Sequence, residues 1–300
     1  MRLLNASGCL DALVAPEVAR ELDAFVTKTV TPLPREGNTP VRIAETDVGM
    51  LNAIGLANPG IDRFLADYLP RLAELGLPLW VSVGGFEATD FAELCSKLEG
   101  RPEVDVIELN LSCPNVDEVP ESVAETVALA RAATTKPLYA KLSPAATDVA
   151  ETARAAEASG ADGLSLVNTI KGLALDERTL RPVLARGAGG LSGPALRPIA
   201  LAAVYACRRA TKLPIVGMGG VASGRDVLEL LAVGANDVAL GTVLFADPGA
   251  PARIRGELEV ELAARGFVDP DNAVAVAQGS EASTLDSTSR VVLEKTLHTG

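Results

Sequence analysis

The chain has 300 residues, 48% hydrophobic and 22% charged, enough for one large globular domain or two small ones with a sizeable core. Its 27 basic and 39 acidic residues leave a net charge of −12, which argues against nucleic acid or an anionic membrane as partner, because phosphate surfaces recruit positive ones. The longest apolar runs, such as Ile199 to Cys207, fall short of the ~18 residues that span a bilayer, and the N-terminus is a poor signal peptide, so a soluble cytoplasmic protein is expected.

In chain order, β-rich runs bounded by Gly or polar residues alternate with helical spacing. Strands are predicted at 3–7, 24–28, 78–85, 105–112, 137–143, 163–168, 214–220 and 237–242. Helices are predicted at 61–75, 121–133, 148–158, 195–210 and 250–265, and the spacing of Phe91, Leu94, Cys95 and Leu98 adds another. Eight βα repeats imply an α/β fold, the (β/α)8 TIM barrel; an open doubly wound sheet fits less well, since no GxGxxG follows the first strand. Residues 29–60 and 169–194 are too long for simple βα turns and are expected as inserted loops at the C-terminal face. The barrel domain is placed at 1–268 and a loosely docked or flexible tail at 269–300.

On this map polar residues gather at one end of the strands: Asn5 and Ser7, Lys28, Asn110 with Cys113, Lys141, Asn168 with Thr169, then Gly217, Gly219, Gly220, Gly241 and Thr242. A single such residue is only a strand turning into solvent, but repetition at the same end points to an active-site face. Glycine clusters after the last two strands suit a phosphate, held by backbone N–H groups. The four cysteines are scattered with no CxxC pair, which speaks against a zinc site, an iron–sulfur cluster or a disulfide framework in this chain. Any redox chemistry therefore needs a cofactor.

Cys9, Cys95 and Cys207 read as inert packing. Cys113 stands before Pro114 among Asn110, Ser112 and Asn115, and a thiol there can serve as a general base; the lone histidine, His298, lies in the polar tail. Lys28 and Lys141 converge from different strands and suggest an anionic ligand, a carboxylate or the electron-rich N1/O2 edge of a reduced flavin.

Nine collinear segments between residue 5 and about residue 266 carry a family resemblance: NASG at 5–8, TKTVTPLPREGNTPVR at 27–42, GMLNAIGLANPGID at 49–62, ELNLSCPN at 108–115, KLSP at 141–144, VNTIKGLALD at 167–176, GGLSGPALRPIAL at 189–201, PIVGMGGVASGRDVLE at 214–229 and ALGTVLFADP at 239–248. Together they resemble the class 1 dihydroorotate dehydrogenases, FMN-containing barrels that oxidise (S)-dihydroorotate to orotate in pyrimidine synthesis. The resemblance implies that Cys113 takes a proton from substrate C5 while C6 gives hydride to the flavin. Substrate contacts would come from Lys28, Asn52, Gly55, Leu56, Asn110, Asn115, Asn168 and Thr169. FMN would be held by Ala6, Ser7, Lys28, Thr29, Asn110, Lys141, Val167, Gly193, Gly219, Gly220, Gly241 and Thr242. NTIKGLALD and GGLSGPALRPIAL look closer to the NAD-linked subgroup, which pairs with an iron–sulfur subunit carrying FAD; the resemblance also implies a homodimer.

Three features depart from the family pattern. The segment after SCPN is only VDEVP at 116–120, where relatives have a longer mobile lid; the N-terminal hairpin that plugs the barrel bottom is missing; and the sequence after 268 fits poorly. They leave two other readings open: an FMN-dependent paralogue acting on another cyclic amide or pyrimidine, and a flavin-free, phosphate-binding barrel lyase or isomerase.

Overall fold

The computed structural model describes residues 1–111 and 122–279. Its strands are β1 Leu3–Asn5, β2 Phe25–Val26, β3 Ile43–Thr46, β4 Gly49–Asn52, β5 Leu79–Val83, β6 Val106–Asn110, β7 Leu138–Leu142, β8 Gly163–Leu166, β9 Ile170–Gly172, β10 Gly189–Ser192, β11 Ile215–Met218 and β12 Asp237–Leu240. Eight of them form one parallel sheet in the order β1-β12-β11-β8-β7-β6-β5-β2. A parallel bridge between Leu4 and Ala24 brings β1 against β2, so the sheet curls into a nearly closed barrel, the predicted TIM architecture.

The seam between β1 and β2 is the weak point, because β2 is two residues long. A side chain completes it: Asn5 Nδ2 donates to the Val26 carbonyl at 2.7 Å, and the Val26 N–H donates to Asn5 Oδ1 at 2.8 Å. The amide thus stands in for a missing pair of ladder bonds, which explains why an asparagine is fully buried in β1.

Alternate residues of each strand point inward or outward. Leu4, Val26, Trp80, Val106, Tyr139, Val216 and Ala239 fill the barrel, while Leu3, Ile107, Leu109, Leu164 and Val238 pack against the surrounding helices. The helices Ala88–Glu99, Val123–Ala133, Val149–Ala158, Arg197–Ala210, Gly224–Ala232 and Ala250–Ala264 present apolar stripes to that outer layer, as the sequence spacing predicts. Ser122, Asp148 and Ser223 each accept a backbone N–H at the start of the helix that follows. At the barrel bottom Arg2 lies over the Trp80 ring at 5.4 Å and pairs with Asp237 at 2.7 Å, and Trp80 meets Tyr139 at 4.6 Å between ring centroids. These side chains cover the N-terminal end of the barrel.

The two long insertions differ from the expected loops. They pair with each other as a four-stranded antiparallel sheet in the order β3-β4-β10-β9, with Gly190 opposite Asn52 and Leu191 opposite both Leu51 and Ile170. Beneath it Leu51, Ala53 and Leu184 form a small core of their own. Residues 269–279 pack back on the barrel: Ala273 is buried, and Gln278 Nε2 donates to the carbonyls of Val233 and Tyr205 at 2.8 and 3.1 Å.

Candidate active site

A cavity of about 510 Å³ opens where the barrel strands end and the accessory sheet roofs them. This volume lies within the range of about 300–1,000 Å³ usual for small-molecule and cofactor sites. The loops at the carboxyl ends of β1, β2, β8, β11 and β12 contribute wall residues, and β6 and β7 contribute Asn110 and Lys141.

The floor is an ordered chain of polar groups. Ser82 Oγ meets Thr29 Oγ1 at 3.0 Å, Asn110 Nδ2 donates to Thr29 Oγ1 at 3.1 Å, and Asn168 Nδ2 donates to Asn110 Oδ1 at 2.9 Å. Asn168 Oδ1 in turn accepts the Thr169 N–H at 2.9 Å. These bonds orient both amides before a ligand arrives, which lowers the ordering cost of binding.

Beside the amides, Lys141 donates to Ser7 Oγ at 2.9 Å, and its Nζ lies 3.5 Å from Glu108 Oε1. Lys28 reaches the same space from the loop after β2; Gly8 leaves room for its stem, since a Cβ there would sit 2.8 Å from Lys28 Cδ. The half-buried Cys9, which the sequence suggested was simple packing, also lines the cavity. Burial pushes its thiol up, against the opposing pull of Lys141 and Lys28.

The far wall is made of backbone. Gly193, Gly219 and Gly220 have φ of +95°, +123° and +76°, and a Cβ on Gly220 would come within 2.9 Å of the Gly193 carbonyl oxygen. At Gly241 a Cβ would make only ordinary contacts, 3.7 Å from Ala6 Cβ and 3.8 Å from Cys9 Sγ, so nothing in the wall excludes a side chain there. Thr242 Oγ1 donates to Ser192 Oγ at 2.8 Å across the same wall.

Of the residues singled out from the sequence, Lys28, Asn52, Leu56, Asn110, Asn168, Thr169, Ala6, Ser7, Thr29, Lys141, Val167, Gly193, Gly219, Gly220, Gly241 and Thr242 all line this one cavity. Gly55 stands behind the wall, at φ +74° against Asn38. Cys113, Asn115, His298 and the segment 116–120 lie outside the described residues. Sequence reasoning missed Ser192, Met50 and Phe245, which also line the cavity; Ser192 stands inside GGLSG, one place before a glycine that was identified. Among the described residues no cluster of three or more His, Cys, Asp or Glu could hold a metal, and no helix is long and apolar enough to cross a membrane.

Fold and cavity together define a (β/α)8 barrel with its ligand site at the strand C-termini, the arrangement of barrel enzymes. Comparison with known proteins refines this. The dihydroorotate dehydrogenase family model matches residues 2–262, and the chain belongs to that family. It is 44% identical over 266 residues to the dihydroorotate dehydrogenase B (NAD(+)) catalytic subunit of Trichlorobacter lovleyi, covering 86% of this chain and 88% of the relative. It is also 44% identical over 275 residues to the subunit of the same name from Latilactobacillus sakei, covering 87% of this chain and 89% of the relative. The NAD-linked subgroup suggested by the sequence motifs is the one these relatives carry in their names. A crystal structure of the Eimeria tenella enzyme in complex with ferulenol superposes with a TM-score of 0.76 at 22% identity, over 93% of this chain and 85% of that one, which shows the shared fold.

Proposed function

We propose that this chain is the catalytic subunit of an NAD-linked dihydroorotate dehydrogenase, oxidising (S)-dihydroorotate to orotate with FMN held in the cavity. The observation that carries this reading is the meeting, in one cavity, of a preorganised amide floor, two lysines and a wall built from glycine backbone. The glycines at 193, 219 and 220 hold positive φ where a Cβ would clash with packed neighbours, and backbone brought to the cavity wall in this way, with Gly241 beside it, suits a ribityl phosphate. Ala6, Ser7, Thr29 and Val167 would flank the ring, and Lys141 would face its N1/O2 edge. FMN, when bound, supplies the acceptor for the hydrogen and electron pair that leave substrate C6.

The chain's own groups do the rest. Asn110 and Asn168 have their amide planes set by the bonds to Thr29 and Thr169, so they can read a planar ring of alternating donors and acceptors. Asn52, Leu56 and Thr169 complete that side, and Lys28 balances a carboxylate. Cys113, three residues beyond Asn110 in the chain, takes the proton from C5 as general base; Asn115 adds a further amide. The name of the relatives, a catalytic subunit working with NAD(+), supports a second subunit that carries electrons onward; FAD and an iron–sulfur cluster in that subunit, and a homodimer of this chain, complete the proposal.

The test is anaerobic. The purified protein is mixed with dihydroorotate and its flavin absorption followed, for wild type and Cys113→Ser. Rapid bleaching in wild type, slowed about 10²–10⁴-fold in the variant, is expected of a lost general base. A colourless protein would overturn the flavin reading, and a yellow one that dihydroorotate does not bleach would overturn the substrate.

A further inference from the structure

Among the described residues Glu108 is the most deeply buried carboxylate, 1% exposed. It sits in β6 between Val106 and Asn110 on the face that points into the barrel, one layer beneath the cavity floor. Its Oε1 has no hydrogen-bond partner among the described residues, and neither does the buried Ser165 Oγ in β8. The contact that explains Glu108 is Lys141, whose Cα pairs with Asn110 on one side and Ser165 on the other, and whose Nζ lies 3.5 Å from the carboxylate.

A buried ion pair is a poor stability device, because desolvation offsets most of the attraction and an apolar pair of the same volume packs as well. The pair does solve a charge problem. Lys28 and Lys141 line the same cavity, with the Cys9 thiol beside them. Two cations converging on one cavity repel each other, and burial leaves the charge of Lys141 poorly solvated. The Glu108 carboxylate beneath it counters both effects, while the bond to Ser7 turns the ammonium toward the ligand.

We infer that Glu108 is a positioning residue that acts through Lys141, holding the lysine's ammonium group in place and aimed at the cavity before any ligand enters. The inference rests on the flavin reading, since the group served is the electron-rich edge of the reduced cofactor. Glu108 tunes how readily the site accepts electrons without touching either ligand.

The test uses sulfite, a small anion that adds to an oxidised flavin, leaves negative charge on its ring and abolishes its visible absorption. Sulfite affinity of the yellow holoenzyme is measured at pH 8 for wild type, Glu108→Gln, Glu108→Asp, Lys141→Met and the Glu108→Gln, Lys141→Met double variant. Glu108→Gln is expected to weaken sulfite at least tenfold, Glu108→Asp to stay within threefold of wild type, and the double variant to match Lys141→Met within twofold, because the effect passes through the lysine. A Glu108→Gln affinity within twofold of wild type, or a double variant weakened by the product of both singles, would overturn the inference. Should Glu108→Gln fail to fold, a double variant that folds supports the coupling, and one that also fails overturns it. A colourless wild type refutes the flavin reading and this inference with it, whereas unchanged sulfite affinity in a yellow protein refutes this inference alone.

Discussion

Thr242 and Ser192 share a hydrogen bond of 2.8 Å that ties the loop after the last barrel strand to the last residue of β10. The accessory sheet is thereby stitched to the barrel at the wall proposed for the phosphate, and Ser192 passes the link on to the Met50 carbonyl at 3.3 Å in β4. Removing the hydroxyl in Thr242→Val should leave the fold intact and loosen that wall. The expected outcome is a rise in the FMN dissociation constant of roughly two- to tenfold, the equivalent of one neutral hydrogen bond, with the melting temperature of the flavin-free protein unchanged. Fluorescence titration of the stripped protein checks it.

The seam bonds of Asn5 give a stability prediction. Asn5→Ala leaves the buried N–H and carbonyl of Val26 without partners, at a cost of about 2–4 kcal/mol in unfolding free energy. Urea denaturation with the slope held common to both proteins reads this directly. A loss below 1 kcal/mol would mean that the β1–β2 seam holds without the side chain.

The buried thiols should differ from the cavity thiol in reactivity. Burial pushes Cys95 and Cys207 up to about 12, so at pH 8 only about one molecule in ten thousand carries the thiolate at either position. Neither should be alkylated by iodoacetamide in the native state, while both label in denaturant. Cys9 faces the cavity, so its labelling should be slow but measurable and should fall further when FMN is added. Peptide mass spectrometry with and without the cofactor distinguishes the three.

An acid-side prediction comes from Glu99 at the end of its helix. Thr134 and Thr135 hydroxyls and the Thr135 N–H, the last at 2.9 Å, all donate to its carboxylate and hold it down at about 2, against an ordinary value of 4.5. A lowered folded-state value means that its stabilisation is full above about pH 4.5 and is lost as the pH falls toward 2. Glu99→Gln should therefore show a flatter decline of melting temperature than wild type between these limits. Parallel acid curves for the two proteins would rule the role out.

The barrel was legible because its strands repeat one signal: apolar residues such as Val81, Ile107 and Leu164 in short runs, each closed by a polar or glycine residue at the cavity end. The cavity followed from the same regularity, since Asn110, Lys141, Asn168 and Gly219 all sit where a strand stops. The accessory sheet was not legible. Its strands are only three or four residues long, as in IKG and GGLS, and the pairing that makes them one sheet joins β10 to β4 from far off in the chain, so no local pattern marks it. Ser192 and Met50 were missed for this reason. Glu108 was quoted within a motif, but its importance depends on a side chain from the next strand, which no spacing rule reveals.

The pairing of Asn52 with Gly190 also has a consequence for biosynthesis. The Asn52 side chain donates to the Gly190 carbonyl across 138 positions of sequence, and Arg2 reaches Asp237 across 235. On the ribosome the β3–β4 hairpin therefore emerges long before the strand that covers it, and β1 waits for nearly the whole barrel before its neighbour β12 exists. Contacts of such separation form slowly and late. The pocket is completed only when Ala246 has been translated, so cofactor capture is a closing event in maturation and cannot template the early barrel.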